Sequence, residues 1–243
     1  MTPFFLHGIG AGAESYDWLA PLVQGGIALN LPGFGDEPWT GPASFPALAD
    51  WLAARIDAAG AGPVALFGHS FGGMLALETA LRHPDRVRAL ILCASTPAFG
   101  GRDPAFAEQF LAARLGPLDR GATMADLARQ GAREMAAEGA DPERLDRFAA
   151  SMARVPEHVY RDIVRCLTTF DRREDLARVT QPTLVLAGTA DQVAPARTVA
   201  KMAERIPGAA YRDYACGHLA PLEAPEAIAA DVRAFLGSLD AAA

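Results

Sequence analysis

The chain has 243 residues and 51% hydrophobic content, which suits one α/β domain with room for an insertion. A net charge of −7 and a single lysine, Lys201, leave no basic stripe for nucleic acid and no amphipathic anchor for a membrane surface, and no run of about eighteen apolar residues exists to span one. Three widely spaced cysteines, Cys93, Cys166 and Cys216, argue against a disulfide framework and for a reducing compartment. With no leader-like segment ahead of the first strand, a cytoplasmic protein is expected.

In chain order, Pro3 to His7 reads as a short strand running into Gly8-Ile9-Gly10-Ala11-Gly12. Glycines just past a strand's carboxyl end let backbone approach a ligand, and the Ile9 amide is then free to donate to a developing oxyanion. A helix is expected over 16–23, a strand over 27–31, a turn through Leu31-Pro32-Gly33-Phe34-Gly35-Asp36 and a helix over 46–59 with Leu48, Leu52 and Ile56 on one face.

Val64-Ala65-Leu66-Phe67 is a strand buried on both faces, and the segment after the next glycines has helical spacing. The turn between them, Gly68-His69-Ser70-Phe71-Gly72, is tight enough to strain the serine backbone. It is tolerable because Gly68 and Gly72 have no Cβ to press on strand and helix. That geometry lifts the Ser70 hydroxyl above the sheet's carboxyl end and aims the first helical amides, Phe71 foremost, beside it. Helix capping alone would need neither both glycines nor partners further along the chain.

His83-Pro84 ends that helix, and Val87 to Cys93 is the next strand. From 97 to 170 the alternation stops. Four helical stretches fit instead, near 104–115, 124–138, 142–152 and 157–167, an insertion placed to fold over the serine and shape a substrate pocket. Its arginines, Arg102, Arg114, Arg129, Arg133, Arg144, Arg147, Arg154, Arg161 and Arg165, are mostly expected on solvated faces; one turned inward would indicate a carboxylate-bearing substrate.

The sheet resumes at 182–187, and Asp191 follows in a loop on the same rim as Ser70. A helix over 197–206 and a strand over 210–214 lead to His218, and a last helix runs from 225 to 236. Asp36, Asp213, His83 and His158 read as turn, strand and helix residues, and Cys216 as a core filler.

The order Ser70, Asp191, His218, together with the His-Gly loop, the Leu-Pro-Gly-Phe-Gly-Asp turn, the Gly-x-Ser-x-Gly elbow, Gly-Thr-Ala-Asp-Gln-Val-Ala-Pro and Gly-His-Leu-Ala-Pro-Leu-Glu, resembles the α/β-hydrolase superfamily. The likeness is to its small bacterial esterases, enol-lactonases and carbon–carbon-bond hydrolases. It implies an α/β fold with a mainly parallel sheet of about six strands and helices on both faces. The core is then 1–96 and 171–243, and the cap 97–170. It also implies two strands ahead of Phe4 that this sequence lacks, which makes the strand at 27–31 an exposed edge. Ser70 is then the nucleophile, His218 the general base and Asp191 its orienting acid. The Ile9 and Phe71 amides form the oxyanion hole, while His7, Gly8, Gly68 and Gly72 are structural at the site. The expected activity is hydrolysis of a small, largely apolar ester, lactone or thioester through an acyl-enzyme, with no metal or organic cofactor, in a monomer or homodimer. The alternatives are a carbon–carbon hydrolase, lyase or acyl transferase with the same residues, and a non-catalytic binding protein.

Overall fold

A computed structural model describes residues 1–60, 62–99 and 104–241. Six parallel strands form one sheet: β1 (Pro3–Leu6), β2 (Ile27–Leu29), β3 (Val64–His69), β4 (Val87–Cys93), β5 (Thr183–Gly188) and β6 (Ala210–Tyr214), in the order β2-β1-β3-β4-β5-β6. The chain leaves β1 toward one edge and returns on its other side as β3. The carboxyl ends of β1 and β3 therefore lie side by side where the winding reverses, the usual place for a ligand crevice.

Strand side chains alternate between two cores. Phe4, Leu66, Leu90 and Val185 face helices α1 (Phe45–Ala58), α2 (Phe71–Arg82) and α7 (Ala196–Arg205). Phe5, Phe67, Ile91 and Leu186 face α9 (Pro225–Ala241) and a pair of 3-10 turns, Ala13–Tyr16 and Ala20–Leu22. Each such Leu or Phe, fully buried, stabilises by roughly 1.5–3 kcal/mol. The edge strand β2 is only three residues long, and Ile27 is 42% exposed. Between β4 and β5 stand α3 (Pro104–Asp119), α4 (Met124–Met135), α5 (Pro142–Ala153) and α6 (Glu157–Leu167). A four-residue helix, α8 (Ala220–Glu223), precedes α9. No helix among the described residues is long and apolar enough to cross a membrane.

Three local differences from the sequence reading have physical causes. Residues 16–23 form no α-helix. Pro21 lacks an N–H, and the segment closes i→i+3 bonds instead, such as Leu22 N–H to the Leu19 carbonyl at 3.0 Å. Helix α3 runs through Gly116-Pro117, since proline's fixed φ is itself helical, although the bond to the Ala113 carbonyl is lost. Helix α4 stops at Met135 because tertiary partners claim its last polar groups: the His218 amide donates to the Met135 carbonyl at 2.7 Å, and Glu223 takes the Ala137 amide at 2.9 Å.

The two chain segments joining α3–α6 to the sheet lie against each other, with Phe99 N–H to the Phe170 carbonyl at 2.8 Å and Arg172 N–H to the Pro97 carbonyl at 2.7 Å. Arg172 then grips Glu78 of α2 through Nε at 2.6 Å and Nη2 at 2.9 Å, and the Glu78 side chain is fully buried. A bidentate pair is the geometry in which a buried carboxylate is tolerated. It ties this neck to the helix that begins at Ser70.

Candidate active site

Ser70 sits between β3 and α2 with φ 53° and ψ −117°, a conformation that costs on the order of 1–3 kcal/mol for a residue with a side chain. Close packing holds it there. A Cβ on Gly68 would lie 2.3 Å from the Gly72 carbonyl oxygen, and one on Gly72 would lie 2.0 Å from that of Leu6. The Ser70 amide donates to the Cys93 carbonyl at 2.9 Å, and the Ser95 hydroxyl donates to the Ser70 carbonyl at 2.9 Å, pinning the elbow to the end of β4.

His218 and Asp191, each in a loop beyond a strand end, meet this serine. His218 Nε2 is 3.0 Å from Ser70 Oγ, and Nδ1 is 2.8 Å from Asp191 Oδ2. The carboxylate can only accept, so Nδ1 carries the proton and Nε2 is left to accept from the serine hydroxyl. Asp191 Oδ1 is held by the amides of Val193 at 2.7 Å and Ala194 at 2.8 Å. Burial pushes the Asp191 carboxyl up, but the hydrogen bond and charge of His218 and these two amides outweigh it. The group stays below the usual carboxylate range, ionised at neutral pH.

Neighbouring imidazoles are neutral. His7, fully buried, has its pKa lowered to about 4 by desolvation; Nδ1 donates to the Gly8 carbonyl at 2.8 Å and Nε2 accepts from the Leu31 amide at 3.0 Å. It thus braces the loop after β1. No acceptor among the described residues takes the amide of Ile9 or of Phe71. Burial and the nearby His218 hold His69 at about 3, and its Nε2 donates to the His218 carbonyl at 2.7 Å.

Above Ser70 opens a cavity of about 750 Å³, within the range of roughly 300–1,000 Å³ typical of small-molecule sites. Its walls are mostly apolar: Phe99, Phe110, Phe148, Met152 and Leu167 come from the neck and from α3, α5 and α6, Met74 from α2. Residues 4–225 match the model of the family described as the alpha/beta hydrolase fold. The chain belongs to that family. Over 95 residues this α/β-hydrolase is 43% identical to a pimeloyl-[acyl-carrier protein] methyl ester esterase of Neisseria meningitidis, a match covering 38% of the chain and only 35% of that protein's length. It is 30% identical over 221 residues to lipase LipV of Mycobacterium tuberculosis, covering 86% of the chain and 82% of the relative. It superposes on a thermophilic esterase from Thermogutta terrifontis with a TM-score of 0.87 at 25% identity, covering 98% of the chain and 90% of that structure.

The other acids and bases that the sequence raises lie elsewhere. His83 pairs with Asp50 at 2.8 Å, Asp213 is on exposed β6, and His158 packs edge-on against Trp39. Burial pushes the Cys216 thiol up to about 12, which suits a core filler. Arg102 lies outside the described residues. Sequence reasoning missed Glu223. Its carboxylate accepts from Gly217 at 2.9 Å, Leu219 at 3.0 Å and Ala137 at 2.9 Å, fastening the His218 loop to the end of α4. It closes the Gly-His-Leu-Ala-Pro-Leu-Glu string, so its proximity to His218 was visible, but not its amide partners.

Proposed function

We propose that this α/β-hydrolase cleaves carboxylic esters, lactones and thioesters included, through an acyl-enzyme on Ser70. The observation that carries the reading is the His218 imidazole, bonded on one side to Asp191 and on the other to Ser70 Oγ, in the wall of an apolar cavity. A serine hydroxyl is too weak an acid to attack unaided, so His218 Nε2 takes its proton as the Oγ–carbon bond forms. Asp191 stabilises the resulting imidazolium. The developing oxyanion receives the Ile9 and Phe71 amides, where one such donor is worth about 3–4 kcal/mol of barrier. Collapse expels the alkoxide, which recovers the proton from His218; water repeats the cycle on the acyl-enzyme and frees the acid.

Residues 97–170 act in this reading as a cap that excludes water over a core of 1–96 and 171–243. The names of its relatives make methyl esters of acyl chains the first substrates to try. Three buried, unpaired cysteines support a reducing, cytoplasmic setting, and the exposed β2 edge is compatible with a monomer or a homodimer. Ser70→Ala is expected to cut turnover of a short p-nitrophenyl ester by at least about 10⁴-fold, with the thermal midpoint within about 2 °C of wild type. Activity surviving that change would refute the assignment.

A further inference from the structure

Among the described residues, the cavity wall contains Arg114, Arg173 and Arg197 but no aspartate or glutamate, in a chain where acidic residues outnumber basic ones 29 to 22. Arg173 is neutralised by Asp171, and Arg197 stands exposed at the start of α7. Arg114 is different. The other half-buried arginines of the helices between β4 and β5, Arg144 and Arg161, have carboxylate partners, Asp141 and Glu226 for the first, Asp119 and Glu157 for the second. Arg114 is also half-buried, yet among the described residues its guanidinium has no carboxylate and no hydrogen bond, only the face of Phe110 at 5.6 Å.

Across from it on α6 is Tyr160, 1% exposed and part of the same wall. Its hydroxyl has no hydrogen-bond partner among the described residues, but it is not a sealed orphan either, so it opens on the cavity. The two groups line one cavity from helices α3 and α6, which pack against each other; burial raises the Tyr160 pKa, so its hydroxyl stays a proton donor. A half-buried guanidinium and a buried hydroxyl without protein acceptors, set in apolar walls, form an incomplete anion site.

We propose that Arg114 and Tyr160 bind a carboxylate at the far end of the substrate's chain, so that the preferred ester is the monoester of a dicarboxylic acid. The proposal rests on the ester-hydrolase reading. The guanidinium presents a planar fork that matches a carboxylate, and the phenol supplies a third donor. The apolar walls of the same cavity, Phe110, Phe148, Met152 and Leu167 among them, take the methylene chain.

The test compares monomethyl and dimethyl adipate. Wild type is expected to favour the monoester in kcat/KM. Arg114→Ala should lower that value by about 10–100-fold, and Tyr160→Phe, which keeps the ring, by about 3–10-fold, while the neutral diester changes by less than about 3-fold in either variant. Equal losses on both esters, unchanged monoester kinetics, or a wild-type preference for the diester would overturn the proposal. If wild type cleaves neither adipate ester but turns over the p-nitrophenyl ester, the proposal fails and the hydrolase reading stands; if it cleaves none of the three, the hydrolase reading fails, and adipate decides the subsite alone. A thermal midpoint raised by adipate in wild type but not in Arg114→Ala supports it, and no rise in wild type refutes it.

Discussion

The rim of the sheet and the four helices between β4 and β5 face each other across one cavity, yet they are built on opposite plans. On the rim, position is dictated by main chain: Gly68 and Gly72 leave no space for a Cβ, Ser70 is held at a positive φ, and Asp191 is fixed by two amides. In the helices, position is set by side chains. Apolar faces meet, and charged groups such as Arg147 with Asp17, and Arg154 with Glu14, dock α5 on the turn after β1. Backbone constraints tolerate little change and suit a reaction centre. Side-chain packing accepts substitution, and so suits a wall whose lining selects the substrate.

The largest expected effect lies wholly on the rim. Asp191→Asn should keep the packing but favour the wrong His218 tautomer, lowering kcat by about 10⁴-fold while the midpoint moves by only a few degrees, as read by steady-state kinetics and thermal melting. A loss below about 10-fold would mean that the acid is dispensable. The contrast is sharpest at the junction. Glu223→Gln keeps the shape but swaps a carboxylate for an amide facing three N–H donors, so one or two charge-assisted bonds are lost. Unfolding free energy should fall by about 2–3 kcal/mol in a urea titration, with kcat falling about 10-fold because the His218 loop loosens. A variant equally stable and active would show that rim and helices are independent.

A further effect, which leaves activity at neutral pH untouched, is a slope of stability with pH. His7 and His69 are neutral in the fold, with pKa values lowered from 6.5 to about 4 and about 3, whereas the unfolded chain protonates both near 6.5. The unfolded state therefore binds more protons as pH falls. Stability should be flat above about pH 7 and decline below about 6.5 by up to about 1.4 kcal/mol per pH unit for each histidine, until about 4 for His7 and about 3 for His69. Urea midpoints between pH 7 and 5 isolate this slope from most carboxylates; a plateau reaching down to pH 5 would contradict it.

The rim was legible in the sequence because its requirements are local. Gly-His-Ser-Phe-Gly between a strand and a helix already implies a strained serine, and Asp191 and His218 each follow an apolar strand by a few residues. The fold followed from the alternation of such strands with helices. What stayed hidden depends on partners distant in the chain. The end of α4 is set by His218 and Glu223, more than eighty residues onward, as in the Glu223–Ala137 bond spanning 86 positions, so periodicity extended that helix too far. Residues 16–23 depart from the helical pattern for a local reason, the missing N–H of Pro21. Which arginine turns inward could not be read, since Arg114 differs from Arg144 only in lacking an acid nearby in space.

The main-chain link from His218 to Met135 has a bearing on the catalytic geometry. Were α4 to swing away, the His218 amide would lose its acceptor and Glu223 one of its donors, so the alignment of His218 with Ser70 and Asp191 depends on that side staying closed.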